Sequence, residues 1–184
     1  MNTTLRSIVA IVSIVTTGMI MALLPSAADA ADAKQFMRGG EYCFRIGTPI
    51  PGGWTTTLKM VISHAGGVAP FRIAHVDAVE RGTQATNPPR AYVTPLVGSA
   101  TIASQLSGNK QLQVSLSGSN FGADQIDGVT GIWISNQALT LNPTDLTGHD
   151  TGYKTFTPIQ AGQPGEPNKY AIDEIVTPVS CNDI

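Results

Sequence analysis

The chain has 184 residues, with 19 Gly, 12 Pro, 13% charged residues and a formal net charge of −2. No basic cluster interrupts it, so there is no electrostatic footprint for nucleic acid or for anionic lipid. Charge is sparse against the ~25% of an average globular protein, and Ser, Thr, Asn and Gln must supply much of the polar surface.

The first predicted element is an export segment. Arg6 is the only charge among residues 1–28, and residues 8–24 are largely apolar. Ala28-Asp29-Ala30 then places small residues at the −3 and −1 positions of a signal-peptidase site. Ala31-Asp32-Ala33 repeats the pattern, so cleavage after Ala30 and after Ala33 both fit. An uncleaved anchor is the alternative, although the apolar run is at the short end of the ~17–25 residues that span a bilayer. The expected organisation is a cleaved signal peptide at 1–30, a leader at 31–40 and one β domain at 41–184. The expected location is secreted or periplasmic, with no membrane association after cleavage.

From residue 41 onward, β-favouring segments recur at 41–47, 55–64, 71–80, 91–103, 110–118, 129–141, 152–160 and 169–181. Between them stand turn signals such as Pro51-Gly52-Gly53, Asn87-Pro88-Pro89, Ser107-Gly108-Asn109 and Asn142-Pro143. Short strands at regular spacing predict an all-β sandwich or barrel. Residues 31–38 are the only candidate helix, too short to stand alone. Leu58, Met60 and Ile62 alternate with polar neighbours, as do Leu112, Val114 and Leu116. Such strands belong to an antiparallel sheet with one packed face and one wet face.

Cys43 and Cys181 stand in the first and last of these segments. In an eight-stranded up-and-down barrel the first and last strands are neighbours, which would bring the two within bridging range. An even cysteine count in an exported chain favours one internal disulfide; two free thiols, or a thiol paired with another chain, are the alternatives. A β-sandwich remains open, because Pro95, Pro158 and Pro178 cannot donate to a ladder and are easily placed on sheet edges. In a closed barrel they require bulges or local openings. The immunoglobulin arrangement of two central cysteines flanking a tryptophan is absent.

The expected fold is therefore a single-domain antiparallel eight-stranded up-and-down β-barrel. Strand count and order, with Gly52-Gly53-Trp54 ahead of a strand and Thr144-Asp145 further on, resemble the calycin class of lipocalin and avidin-type barrels. Gly131-Ile132-Trp133 matches the same Gly-x-Trp pattern at a second place. The third lipocalin motif and the C-terminal helix have no counterpart. The resemblance implies a barrel whose interior takes a small ligand, and nothing about which one.

Catalytic signatures are missing: there is no Gly-x-Ser-x-Gly, no phosphate or dinucleotide loop and no zinc-type cysteine or histidine spacing. His64, His75 and Asp77 would meet around a metal only in a shifted register. Asn142, Asp145, Thr147 and Asp150 read as an oxygen-rich loop without calcium-loop spacing. Asp77 and Glu80 have opposite parity, as do Asp173 and Glu174, so neither pair converges on one face. Glu174 shares its face with Tyr170, Ile172 and Val176, but the Asp173 face is expected to be the inner one.

No enzymatic activity, cofactor or metal is expected. The reading is a binding module that holds a small, mainly apolar molecule. Its candidate lining is Trp54, Leu58, Met60, Ile62, Tyr92, Leu112, Val114, Leu116, Trp133 and Tyr170. The alternative is a structural or protein-interaction domain with a packed interior.

Overall fold

The computed structural model describes residues 36–67, 72–86, 89–104, 110–123 and 129–184. The expected signal segment, the start of the leader and the turn signals at Asn87-Pro88 and Ser107-Gly108-Asn109 lie outside the described residues.

The chain runs through β1 (Gly40–Ile46), β2 (Trp54–Ile62), β3 (Ile73–Gln84), β4 (Arg90–Ser104), β5 (Lys110–Ala123), β6 (Thr130–Leu141), β7 (Gly148–Gln160), β8 (Gln163–Pro164) and β9 (Asn168–Val179). A 3₁₀ turn, Cys181–Asp183, follows. The eight long strands pair in the antiparallel order β6-β5-β4-β3-β2-β1-β9-β7, and β6 pairs with β7 to close the sheet. β8 only extends the β7 hairpin. The result is a closed up-and-down barrel, and the sandwich alternative is excluded. Closure leaves no long edge strand exposed.

Inward positions are even-numbered on β1–β5, β7 and β9 and odd-numbered on β6, as the alternating burial shows. One end of the interior is filled by aliphatics. Leu58, Met60, Ile62, Val76, Leu96, Leu112, Val114, Leu116, Leu139 and Leu141 form one buried cluster with Phe44 and Val176. Phe36 and Met37, ahead of β1, and Leu146, in the β6–β7 loop, plug that end. The Phe36 ring lies 4.5 Å from that of Tyr42.

Three strands run further than the apolar alternation predicts. β3 continues to Gln84, β5 to Ala123, and β7 begins at Gly148. The added inward positions are polar or glycine: Gly82 and Gln84; Asn120 and Gly122; Gly148 and Asp150. They keep the ladder while breaking the hydrophobic pattern: on β3 and β5 they lie in the polar half of the interior, and on β7 a glycine and an aspartate stand beside the aliphatic plug, opposite Leu141 and Leu139.

Pro95, in the middle of β4, is accommodated by a local opening of the ladder, as a closed barrel requires. The paired register of β4 and β5 runs from Val97–Ser117 to Ser104–Lys110 and stops short of Pro95. Beyond it, the Asn120 side-chain amide donates to the Val93 carbonyl at 3.0 Å, in place of a backbone donor. Cys43 and Cys181 form a disulfide with Cα atoms 5.2 Å apart. Among the described residues no helix is long and apolar enough to cross a membrane.

Candidate functional site

Above the aliphatic plug, the inward row of β3 passes from Ala74, Val76 and Ala78 to Glu80, which is 1% exposed. A carboxylate this deep must be matched by donors. Three converge on it. Tyr92 of β4 donates its hydroxyl at 2.5 Å, Gln137 of β6 donates its amide, and Lys154 of β7 forms an ion pair. The Lys154 ammonium also donates to the Tyr92 hydroxyl at 3.2 Å, and Thr56 lies 3.3 Å from that hydroxyl.

The network fixes its own protonation states. Burial and the Glu80 charge push the Tyr92 phenol up to about 12, against the opposing pull of Lys154. Burial pulls Lys154 down, but the Glu80 charge, Tyr92 and the hydrogen bonds to both outweigh it and raise it above the ordinary lysine value. Tyr92 is therefore a neutral donor and Lys154 a cation at neutral pH.

Asp150 lies nearby, 1% exposed, with neither carboxylate oxygen in a hydrogen bond of good geometry. Burial and the charges of Glu80 and, more weakly, Glu174 drive its pKa up to about 7; Lys154 and the Ala138 N–H oppose the rise. With Gln137, Lys154 and Glu174 it borders an inner chamber of about 320 Å³ that opens to the outside at the β1–β2 turn, beside Trp54 and the exposed Ile50. Gly47 makes that turn at φ 78°, and a Cβ there would stand 2.8 Å from a Glu174 carboxylate oxygen. The left-handed backbone favours glycine there, whereas the carboxylate, at the end of a flexible side chain, could move aside for a Cβ.

Toward the open end the interior widens to a cavity of about 700 Å³. Trp54, Tyr92, Trp133 and Tyr170 stand around it, with Thr94, Asn120 and Ser135 between them. Their rings pair as Trp54–Tyr92 at 5.4 Å and Trp133–Tyr170 at 5.6 Å, and Phe156 backs Trp133 at 4.7 Å. Trp54, Thr56, Lys154 and Glu174 border both spaces.

The sequence-predicted lining thus divides in two. Trp54, Tyr92, Trp133 and Tyr170 lie at the open cavity. Leu58, Met60, Ile62, Leu112, Val114 and Leu116 are buried in the plug, at most 3% exposed, and border neither space. Their alternation marked the inner face correctly, but the height along the barrel was not encoded in it. The inner row of β9 is Tyr170, Ile172, Glu174 and Val176, not the Asp173 face, because Val176 is fully buried and Glu174 reaches both spaces.

The other sequence candidates stay apart from this site. His75 Nε2 bonds Asp77 on the outer wall at 3.1 Å, while His64 Nδ1 faces the Arg38 carbonyl at 3.3 Å. In the β6–β7 loop, Asn142 accepts from the Thr144 N–H at 2.9 Å, and Asp145 accepts from the Thr147 N–H and hydroxyl at 3.0 and 2.7 Å. These are self-capping turns. Asp150 does not belong to that loop but to β7, facing inward.

Gln137 and Lys154 were not singled out from sequence, and Glu80 and Asp150 were weighed only in other groupings, with Asp77 and with the 142–147 loop. The available signal was the parity of Glu80, which ends the row Ala74, Val76, Ala78. The chain matches no protein-family model, and no curated protein matches it.

Proposed function

We propose that this protein is an exported binding module that holds a small molecule in the open half of its barrel. The observation that carries the reading is the 700 Å³ cavity walled by Trp54, Tyr92, Trp133 and Tyr170 above a buried, hydrogen-bonded Glu80–Lys154 floor. Pockets of this size with apolar walls and a few fixed polar groups suit small ligands. Aromatic walls suit a planar or apolar body, and the charged floor suits a polar end, so the guest is amphipathic rather than purely apolar. The likeness to calycin barrels in strand order supports a guest in the interior, and the Cys43–Cys181 bridge supports an oxidising compartment.

The test is native mass spectrometry of the purified protein, followed by titration with a panel of aromatic and aliphatic small molecules read through tryptophan fluorescence. A retained guest or a saturable response is expected. Trp133→Ala and Tyr170→Ala, on different strands, should each weaken binding about tenfold or more while the barrel still melts cooperatively. No guest and no response from folded protein would overturn the reading. A surface function would then be favoured by the exposed apolar strip Val93, Val97, Phe121, Ile132 and Ile134 on the outer wall of β4–β6.

A further inference from the structure

The inner chamber is short of hydrogen-bond donors. Among the described residues, the buried side-chain polar atoms without a hydrogen bond of good geometry are Asp150 Oδ1 and Oδ2, Gln137 Oε1, Asn120 Oδ1 and Arg45 Nε. Apart from Arg45 Nε, which lies on the outward parity of β1, all are acceptors bordering the two interior spaces. The orientation of both amides is set by their partners. Gln137 must turn its NH₂ to the Glu80 carboxylate and Asn120 its NH₂ to the Val93 carbonyl, which leaves each oxygen buried and unpartnered. Around the inner chamber the charges are three carboxylates, Glu80, Asp150 and Glu174, against one ammonium, Lys154. Lys154 is already engaged by Glu80 and Tyr92.

We propose that the chamber bounded by Asp150, Gln137 and Glu174 is a subsite for a protonated nitrogen head group, a primary ammonium or an amidinium, carried by a guest whose apolar body lies between the aromatic walls. The proposal rests on the binding reading above and adds the charge and donor character of the guest. A head group with two or three N–H donors would satisfy the unpartnered oxygens and offset the excess negative charge. An aromatic wall is also favourable for a cation, through attraction to the ring faces. A carboxylate-bearing guest would meet acceptors and like charge instead.

Asp150 makes the preference depend on pH. It is faced by Glu80 from β3, Glu174 from β9, Lys154 on its own strand, and Gln137 with the Ala138 N–H from β6. A bound cation favours the ionised carboxylate, so binding expels a proton wherever Asp150 was protonated. His149 beside it lies on the outer face, 4.0 Å from Asp173, and does not border the chamber.

The test uses the oxidised mature protein and three probes of one shape: phenethylamine, phenethyl alcohol and 3-phenylpropionate, measured by calorimetry. At about pH 8 the amine should bind at least about tenfold more tightly than the alcohol, and the carboxylate most weakly. The amine's advantage should shrink at about pH 6, with proton release detected by comparing buffers of different ionisation enthalpy. Asp150→Asn should remove the proton release and most of the preference, and Glu174→Gln, at an exposed position, should reduce the preference. If the alcohol binds as tightly as the amine and neither variant changes the ratio, the subsite is overturned while the pocket stands. If none of the three binds but another class of guest does, the subsite falls in the same way. If folded protein takes no guest of any class, both readings fall together.

Discussion

Lys154 is the one cation on the buried Glu80 network, and its absence would leave Glu80 charged and uncompensated. Removing one partner of a buried ion pair costs about 3–5 kcal/mol, whereas replacing both can be nearly neutral. Lys154→Met should therefore lower stability by about that amount in urea melts, and adding Glu80→Leu should recover most of the loss. Equal destabilisation in the single and double variants would show that the unpaired Glu80 carboxylate was not the source of the loss. Asp150 gives a second residue-scale prediction, with the opposite character. It takes up its proton at about pH 7 in the fold against 3.8 as a free side chain. Between those values the folded chain binds more protons than the unfolded one, so stability falls as pH rises through this window and the penalty is complete above it. Asp150→Asn should melt higher than the parent above neutrality, with the two converging near about pH 4. Asp145 works the other way, its carboxyl held low by the Thr147 hydroxyl and N–H, but it is common to both proteins and cancels in the comparison. A difference in melting temperature that does not vary with pH would remove Asp150 as its source.

The pairing of β3 with β4 places Gly82 directly opposite Tyr92. A Cβ on Gly82 would overlap the Tyr92 ring, so the glycine lets the phenol lie flat across β3 and reach Glu80. Gly82→Ala should displace that ring and cost about 1–3 kcal/mol as overpacking. Gly66→Ala, where a Cβ meets nothing within 4 Å, is the matched control. Similar effects of the two substitutions would mean that the ring contact does not set the cost, since the lost unfolded-state entropy favours alanine at both positions. The same pair of strands shows what was legible in the sequence. Leu58, Met60 and Ile62, and Leu112, Val114 and Leu116, alternate cleanly because one face of each strand is dry, and that gave the inner face of β2 and β5 and the antiparallel sheet, while the turn signals between segments gave the strand count. The polar half of the barrel obeys the same parity without the hydrophobic contrast, so the ends of β3 and β5 were cut short; the start of β7 was missed because its inward residues, Gly148 and Asp150, are not apolar although they stand opposite Leu141 and Leu139. Glu80, Gln137 and Lys154 converge across separations of 57 and 74 residues. No local spacing records such a meeting; it requires the register of every intervening strand.

At the scale of the molecule, the weakest seam is the one that joins the chain's two ends. β1 and β9 share four register pairs, Cys43–Val179 to Ile46–Val176, against nine between β7 and β9. The Cys43–Cys181 bridge lies at the end of this seam and closes a sequence separation of 138 residues. The loop-entropy argument gives such a tether at most about 5 kcal/mol. Reduction should lower the melting temperature, and under reducing conditions amide exchange should accelerate first in β1 and β9, ahead of the β3–β6 wall. Uniform acceleration across the barrel would indicate that the seam holds without its bridge.

That same seam also dictates the order in which the molecule can assemble. Chain-adjacent hairpins form from local contacts, but β1 must wait for β9, the last strand to be synthesised, and contacts so distant in sequence form slowly. Until then the nascent sheet is an open ribbon with two unsatisfied borders, each a template for a neighbouring copy's border. Two ribbons that meet at this stage can complete each other, β1 of one against β9 of the other, to give an intertwined pair with the same strand contacts as two separate barrels. Refolding at high concentration without oxidant should therefore yield such dimers, and dilution together with early oxidation should suppress them.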